Sequence, residues 1–374
     1  MLGFELEVCL PVTPPGGGTF PGDTDLGRSN VQPVDIETDY RQLPGGAIYS
    51  NIEFVSDAVS VIGVNPLAPG LPVVAQLLEV QRIRNAFYGA GAVTLPVACP
   101  VGVNYTPVGN TALLDPNNGY FEEAGQPGLG DGLYLQYSIG VPLRSFRLFL
   151  NRLRVVAPPE LPRARFRLGQ ALNFANDVVA LFQGLPPVPV GYDLRPLHSY
   201  LQLAFTQICA MADYLDDPVN EPQIKNCTVV LSRSSLTSVY NLLGPLERGY
   251  LQQALLVPVG NPHNIINRLA NYQDLTETPG VHLNFNDNDF RQMGALAPVS
   301  LIQYANAAFN GAADINQQRV FGGMLTLAPH PENGIMWIPV EVRTMGAARK
   351  TWAQVQADLV NRLCTWALEA EQNA

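Results

Sequence analysis

Residues 2–8 read LGFELEV. Two glutamates, Glu5 and Glu7, interrupt an otherwise apolar run. In a β-strand, residues two apart point to one face. The spacing therefore predicts a strand that buries Leu2, Phe4 and Leu6 and presents two carboxylates on its other side. Like charges on one face repel unless a cation or a proton lies between them. Glu5 and Glu7 thus imply a partner as well as a strand.

The same pattern recurs twice. Glu53 stands among apolar residues in NIEFVSD (51–57), with Ser56 and Asp57 close behind. Glu341 stands between valines in IPVEVRT (338–344), with Arg343 two residues on and so on the same face. Burying an unpaired carboxylate is costly. Four such acids in three strands, one with an arginine companion, predict a sheet with an acidic face. Hard cations such as magnesium take carboxylate oxygens and share them with phosphates.

Around these strands the pattern is mixed. PVTPPGGGTFPGD (11–23) is a loop by its Pro and Gly content, and residues 92–132 read as a long surface loop. LPVVAQLLEVQRIRNAF (71–87) has helical spacing, and GLYLQYSIGVPL (132–143) reads as a strand that breaks at Pro142. A further strand is predicted from Ala58. From about 143 to 270 the helical period dominates, with a short strand at CTVVLSR (227–233). The last helix carries Trp352, Val355, Leu359, Leu363 and Trp366 three or four apart. Strands at both ends with helices between predict an α+β fold with an antiparallel or mixed curved sheet. The helices pack on the side away from the acids. The chain reads as a single domain over 1–374 with a helical middle section.

Composition narrows the function. Hydrophobic residues make up 47% of the 374, enough for a sizeable core, and the net charge of -10 argues against nonspecific nucleic-acid binding. The five cysteines are far apart and form no Cys-x-x-Cys pair, so they read as buried thiols in a reducing compartment. No run of about 18 apolar residues predicts a membrane span, and no signal peptide is visible. The reading is cytoplasmic. Only Lys225 and Lys350 are lysines. A GC-rich bacterial genome explains that, and so does delivery, as an effector or toxin, into another cell's cytosol where few lysines limit ubiquitin tagging.

The three motifs in order resemble the carboxylate-amine ligases of the glutamine-synthetase fold, in particular the amidoligase branch near the glutamate-cysteine ligases. Gly3, Glu5 and Glu7 match an opening Gly-x-Glu-x-Glu strand. Glu53 and Ser56 match a second strand, and Glu341 with Arg343 a late Glu-x-Arg strand. The resemblance covers short motifs and a compatible layout. It implies a magnesium- and ATP-dependent enzyme that joins a small-molecule or protein carboxylate to an amine through an acyl phosphate. Metal ligands would be Glu5, Glu7, Glu53 and Glu341. Arg343 and Arg233 would stabilise the phosphoryl group, and Asp57 would orient the amine. Lys225 would help hold the nucleotide. One motif departs: where these ligases carry His-x-His, this chain offers Gln136 and Ser138, a weaker pair of donors. A phosphotransferase of the same fold and a non-catalytic scaffold that has lost its metal site remain the alternatives.

Overall fold

The first strand forms as its alternation dictates. In a computed structural model, β1 runs over Leu2–Thr13. The structure describes residues 1–42, 48–61, 71–95, 103–108, 110–114, 133–156, 162–183, 188–216, 230–258, 260–272, 300–312, 327–343 and 350–373. Two compact units divide the chain: Met1–Ile139 with Ala347–Leu368, and Gly140–Gly346 with Glu369–Ala374.

The first unit is built on an antiparallel sheet. After β1 come β2 (Thr24–Ser29), β3 (Val34–Gln42) and β4 (Ile48–Ser56). Helix α1 (Pro72–Ala90) follows. Three short strands come next, β5 (Val93–Leu95), β6 (Tyr105–Pro107) and β7 (Ala112–Leu114), and then β8 (Leu133–Pro142). The order is β8-β1-β4-β3-β2-β6, and β7 joins β1 to β5. Phe4, Leu6, Ile36, Ile52 and Phe54 are buried on one face. Helix α1 lies against β1 and β4 there, and against the C-terminal helix. It turns Val73, Leu77, Val80, Ile83 and Phe87 inward at helical spacing.

The C-terminal helix begins at a capping box, Thr351 with Gln354. It changes to π-helical form over Asp358–Cys364 and returns to α form from Thr365. The described turns keep Val355, Leu359 and Leu363 fully buried, as the predicted apolar stripe requires. Inside this unit Asp358 is buried beside the Lys350 ammonium. It also accepts from Tyr137 Oη at 3.0 Å and Arg362 Nη1 at 3.0 Å. Burial and the neighbouring carboxylate hold the Tyr137 phenol far above its usual range.

The second unit is mostly helical. Helices α2 (Phe146–Val156), α3 (Pro162–Gln183) and α4 (Arg195–Asp216) precede β9 (Val230–Ser232). Then come α5 (Leu236–Tyr240), α6 (Pro245–Leu256), α7 (Ile265–Ala270) and α8 (Leu301–Asn310). Strands β10 (His330–Glu332) and β11 (Ile335–Arg343) close it, with β11 paired to both β9 and β10. Phe174, Phe205 and Phe309 cluster with centroids 5.3 and 6.1 Å from Phe174. The molecule is therefore α+β, with antiparallel strands and a helical middle.

Three local predictions need correction. The segment read as a long loop contains β5, β6 and β7. Their three-residue lengths leave no alternation to read. The strand expected from Ala58 is a single bridge between Val59 and Leu2. The last helix is not uniformly α-helical, because the π segment inserts at Asp358.

Candidate functional site: an acidic sheet face

Register brings the acids together. Glu7 lies directly opposite Glu53 across the β1–β4 ladder, and Glu53 lies directly opposite Glu37 across β4–β3. Asp25 continues the row on β2, opposite Glu37. A neighbouring row runs Gln136, Glu5, Val55, Asp35 and Arg28, again in direct register. Asn51 and Asp39 oppose each other in the next. Strands in a sheet are only about 4.8 Å apart, so seven carboxylates share one small surface.

The local cause is alternation. In β3, Val34, Ile36 and Thr38 are buried toward the helices, while Asp35, Glu37 and Asp39 point the other way. Asp23 joins from the turn before β2. It adopts a left-handed conformation with φ 59° and donates its N–H to Thr38 O at 2.7 Å, a geometry Asp tolerates better than most residues. Asp23, Glu37 and Glu53 each offer a carboxylate oxygen within 4.8 Å of the other two.

A β-bulge shapes the edge of this face. The register slips between Asp25 and Gly27, so Arg28 comes opposite Asp35 on the acidic side. Arg28 Nη1 holds both Asp35 oxygens at 2.7 and 2.9 Å, and its Nη2 pairs with Asp57. Gly27 has φ 149°, and a Cβ there would meet Thr106 O at 2.6 Å. Only glycine fits that bulge.

Electrostatics record the crowding. Burial, then Asp23, Asp35, Asp25 and Glu5, push the Glu37 carboxyl up to about 7. Burial acts first on Glu53 too, with Glu5, Asp39, Glu7 and Glu37 adding to it, and raises that carboxyl well above its ordinary value. Asn51 Nδ2 donates to Glu7 Oε1 at 3.2 Å. The Asn51 Oδ1 and Gln136 Oε1 atoms are buried on the same side without a hydrogen-bond partner.

No protein-family model, curated protein or solved structure matches this chain. The arrangement of the side chains therefore carries the functional argument.

The predicted residues distribute as follows. Glu5, Glu7 and Glu53 share the acidic face, with Gln136 beside Glu5 and Ser138 opposite Gly3 on β8. Ser56 has a backbone role, accepting from Phe4 N–H at 2.8 Å through its hydroxyl. Asp57 sits just past the end of β4 on Arg28. Glu341, Arg343 and Arg233 belong to the second unit. There Glu341 is fully buried, 2.5 Å from Arg343 Nη2 and 3.6 Å from Arg233 Nη1. Lys225 lies outside the described residues.

Sequence reasoning missed Asp23, Glu37, Asp35 and Asp39. The signal was present in VDIETDY (34–40), where acids occupy every second position between Val34, Ile36 and Thr38. Asp23 had no such signal, because a turn placed it.

Proposed function

We propose that the acidic face of the first unit binds a divalent cation, and through it the phosphates of ATP, for carboxylate activation and amide bond formation. The observation that carries this reading is the approach of Asp23, Glu37 and Glu53 oxygens within 4.8 Å of one another. Carboxylates this close repel in water, and a hard cation converts that repulsion into binding. Asn51 Oδ1 and Gln136 Oε1 add neutral oxygens of the kind magnesium or calcium accepts.

The chemistry divides in two. A substrate carboxylate attacks the γ-phosphorus of ATP, ADP leaves, and an acyl phosphate results. An amine then attacks the acyl carbon, phosphate leaves, and the amine loses a proton. A cation held by Asp23, Glu37 and Glu53 would draw charge from the transferring phosphoryl group. Glu5 and Glu7 stand beside the triad and raise the local negative potential. By the resemblance, a glutamine-synthetase-like sheet underlies this face. Within the second unit, Arg233 and Arg343 are both engaged by the buried Glu341 carboxylate. An amine oriented by Asp57 competes with Arg28.

A second reading is favoured by one observation. The raised pKa values of Glu37 and Glu53 let protons replace a metal on a non-catalytic sheet. Titration calorimetry with Mg²⁺ or Mn²⁺, then with Mg-ATP, separates the two. The ligase reading requires saturable metal binding, metal-dependent nucleotide binding, and a hydroxamate when hydroxylamine traps the acyl phosphate. Absence of metal binding at neutral pH leaves the scaffold.

A further inference from the structure

The second unit contains a cavity of about 540 Å³, within the range of small-ligand sites. It has one cationic anchor. Arg144, in the turn after β8, gives its Nε to Asp193 at 3.2 Å. Asp193 is itself gripped by Arg195, whose Nε and Nη2 donate at 2.9 and 3.0 Å. These contacts hold the Asp193 carboxyl below its ordinary range. Arg144 is thus tethered by one nitrogen. Its terminal Nη pair has no protein partner among the described residues, and that edge matches the two oxygens of a carboxylate.

Beside the polar Tyr192 and Glu247, part of the wall is apolar. Leu143, Leu242, Ile335 and Met336 line it, and Met336 is 38% exposed. Gly244 keeps the floor low, because a Cβ there would stand 2.7 Å from Tyr192 Oη. The space therefore offers one fork for an anion and a surface for a compact hydrocarbon. The charge balance limits that anion. Asp193 lies beside Arg144, and Glu247, buried nearby in α6, is a second carboxyl. A dianion such as a phosphate monoester meets more repulsion there than a carboxylate with one shared charge.

We propose that this cavity binds a small organic monocarboxylate with a branched apolar body, its carboxylate on the Nη edge of Arg144 and its body against Leu143, Leu242, Ile335 and Met336. Every residue involved belongs to the second unit, so the proposal is independent of the metal reading.

The probe is 4-methylpentanoate, titrated into the full chain by calorimetry and ligand-observed NMR. A ligand of this size binds with Kd on the order of 1 mM. Matched probes are 3-methylbutylamine, which lacks the anion, and 3-methylbutyl phosphate, which doubles the charge. Arg144→Gln removes the fork at a half-exposed position, and Arg195 still holds Asp193. Met336→Trp fills the cavity from an exposed position, so the fold survives both. The expected result is saturable binding of the acid, weakened at least about tenfold by either variant, with no binding of the amine. No saturation by the acid overturns the proposal, as does equal affinity in both variants. Tighter binding of the phosphate overturns the choice of a carboxylate.

Discussion

Glu37 and Glu53 face each other directly across the β3–β4 ladder, two carboxylates where a sheet ordinarily places an attractive or neutral pair. Directly opposed like charges destabilise a sheet. Without metal, Glu53→Gln and Glu37→Gln are each expected to raise stability by about 1 kcal/mol at pH 8. Chemical denaturation with and without Mg²⁺ checks this. The parent should gain stability from the ion and both variants should gain less. Variants that are less stable than the parent in chelator contradict the crowding described here.

The β-bulge at Gly27 predicts a sharper loss. Gly27→Ala forces a Cβ against the Thr106 carbonyl, in a conformation an L-residue rarely adopts. The expected cost exceeds about 2 kcal/mol. Relaxation of the bulge would also turn Arg28 away from Asp35 and Asp57. Arg28→Gln keeps the bulge and should cost less, about 0–1 kcal/mol, since its pairs are solvent-accessible. Urea midpoints of the two variants give the comparison.

The buried cluster at the start of the π-helical segment makes a third case. Asp358→Asn leaves Lys350 charged in a closed environment with a weaker partner. Removing one member of a buried ion pair commonly costs about 3–5 kcal/mol. Tyr137→Phe removes one hydrogen bond to the same carboxylate and should cost about 1 kcal/mol. If Asp358→Asn is no worse than Tyr137→Phe in calorimetric melting, the cluster contributes little.

His198 sets a pH dependence. Burial, with the Arg147 charge nearby, lowers its imidazole from 6.5 to about 4, and Nε2 meets Asn176 Oδ1 at 2.8 Å. The unfolded chain therefore binds this proton more readily than the folded one. The contribution is fully present above pH 6.5. It is lost as pH falls from 6.5 toward 4, by up to about 3 kcal/mol at the lower end. His198→Gln should flatten that part of the stability curve in urea titrations between pH 7 and pH 4. An unchanged slope would show that His198 titrates normally.

Much of the framework was legible in the sequence. Alternation in LGFELEV and IPVEVRT, and helical spacing from Leu71 onward, produce elements close to those predicted. The carboxylate face was legible in part, through Glu5, Glu7 and Glu53. The other half depends on pairing. Glu37 matters because β3 lies beside β4 in a register that opposes it to Glu53, and no local pattern states which strands pair. Asp23 depends on a turn, and Arg28 on a bulge that reverses the side to which it points. Each is fixed by backbone geometry that one-dimensional periodicity does not encode.

Lys350 is one of two lysines, and its ammonium is closed in against Asp358 with 9% of the side chain exposed. Reagents that seek primary amines should therefore react slowly at Lys350 under native conditions. Late acylation of Lys350 would then report opening of the C-terminal helix.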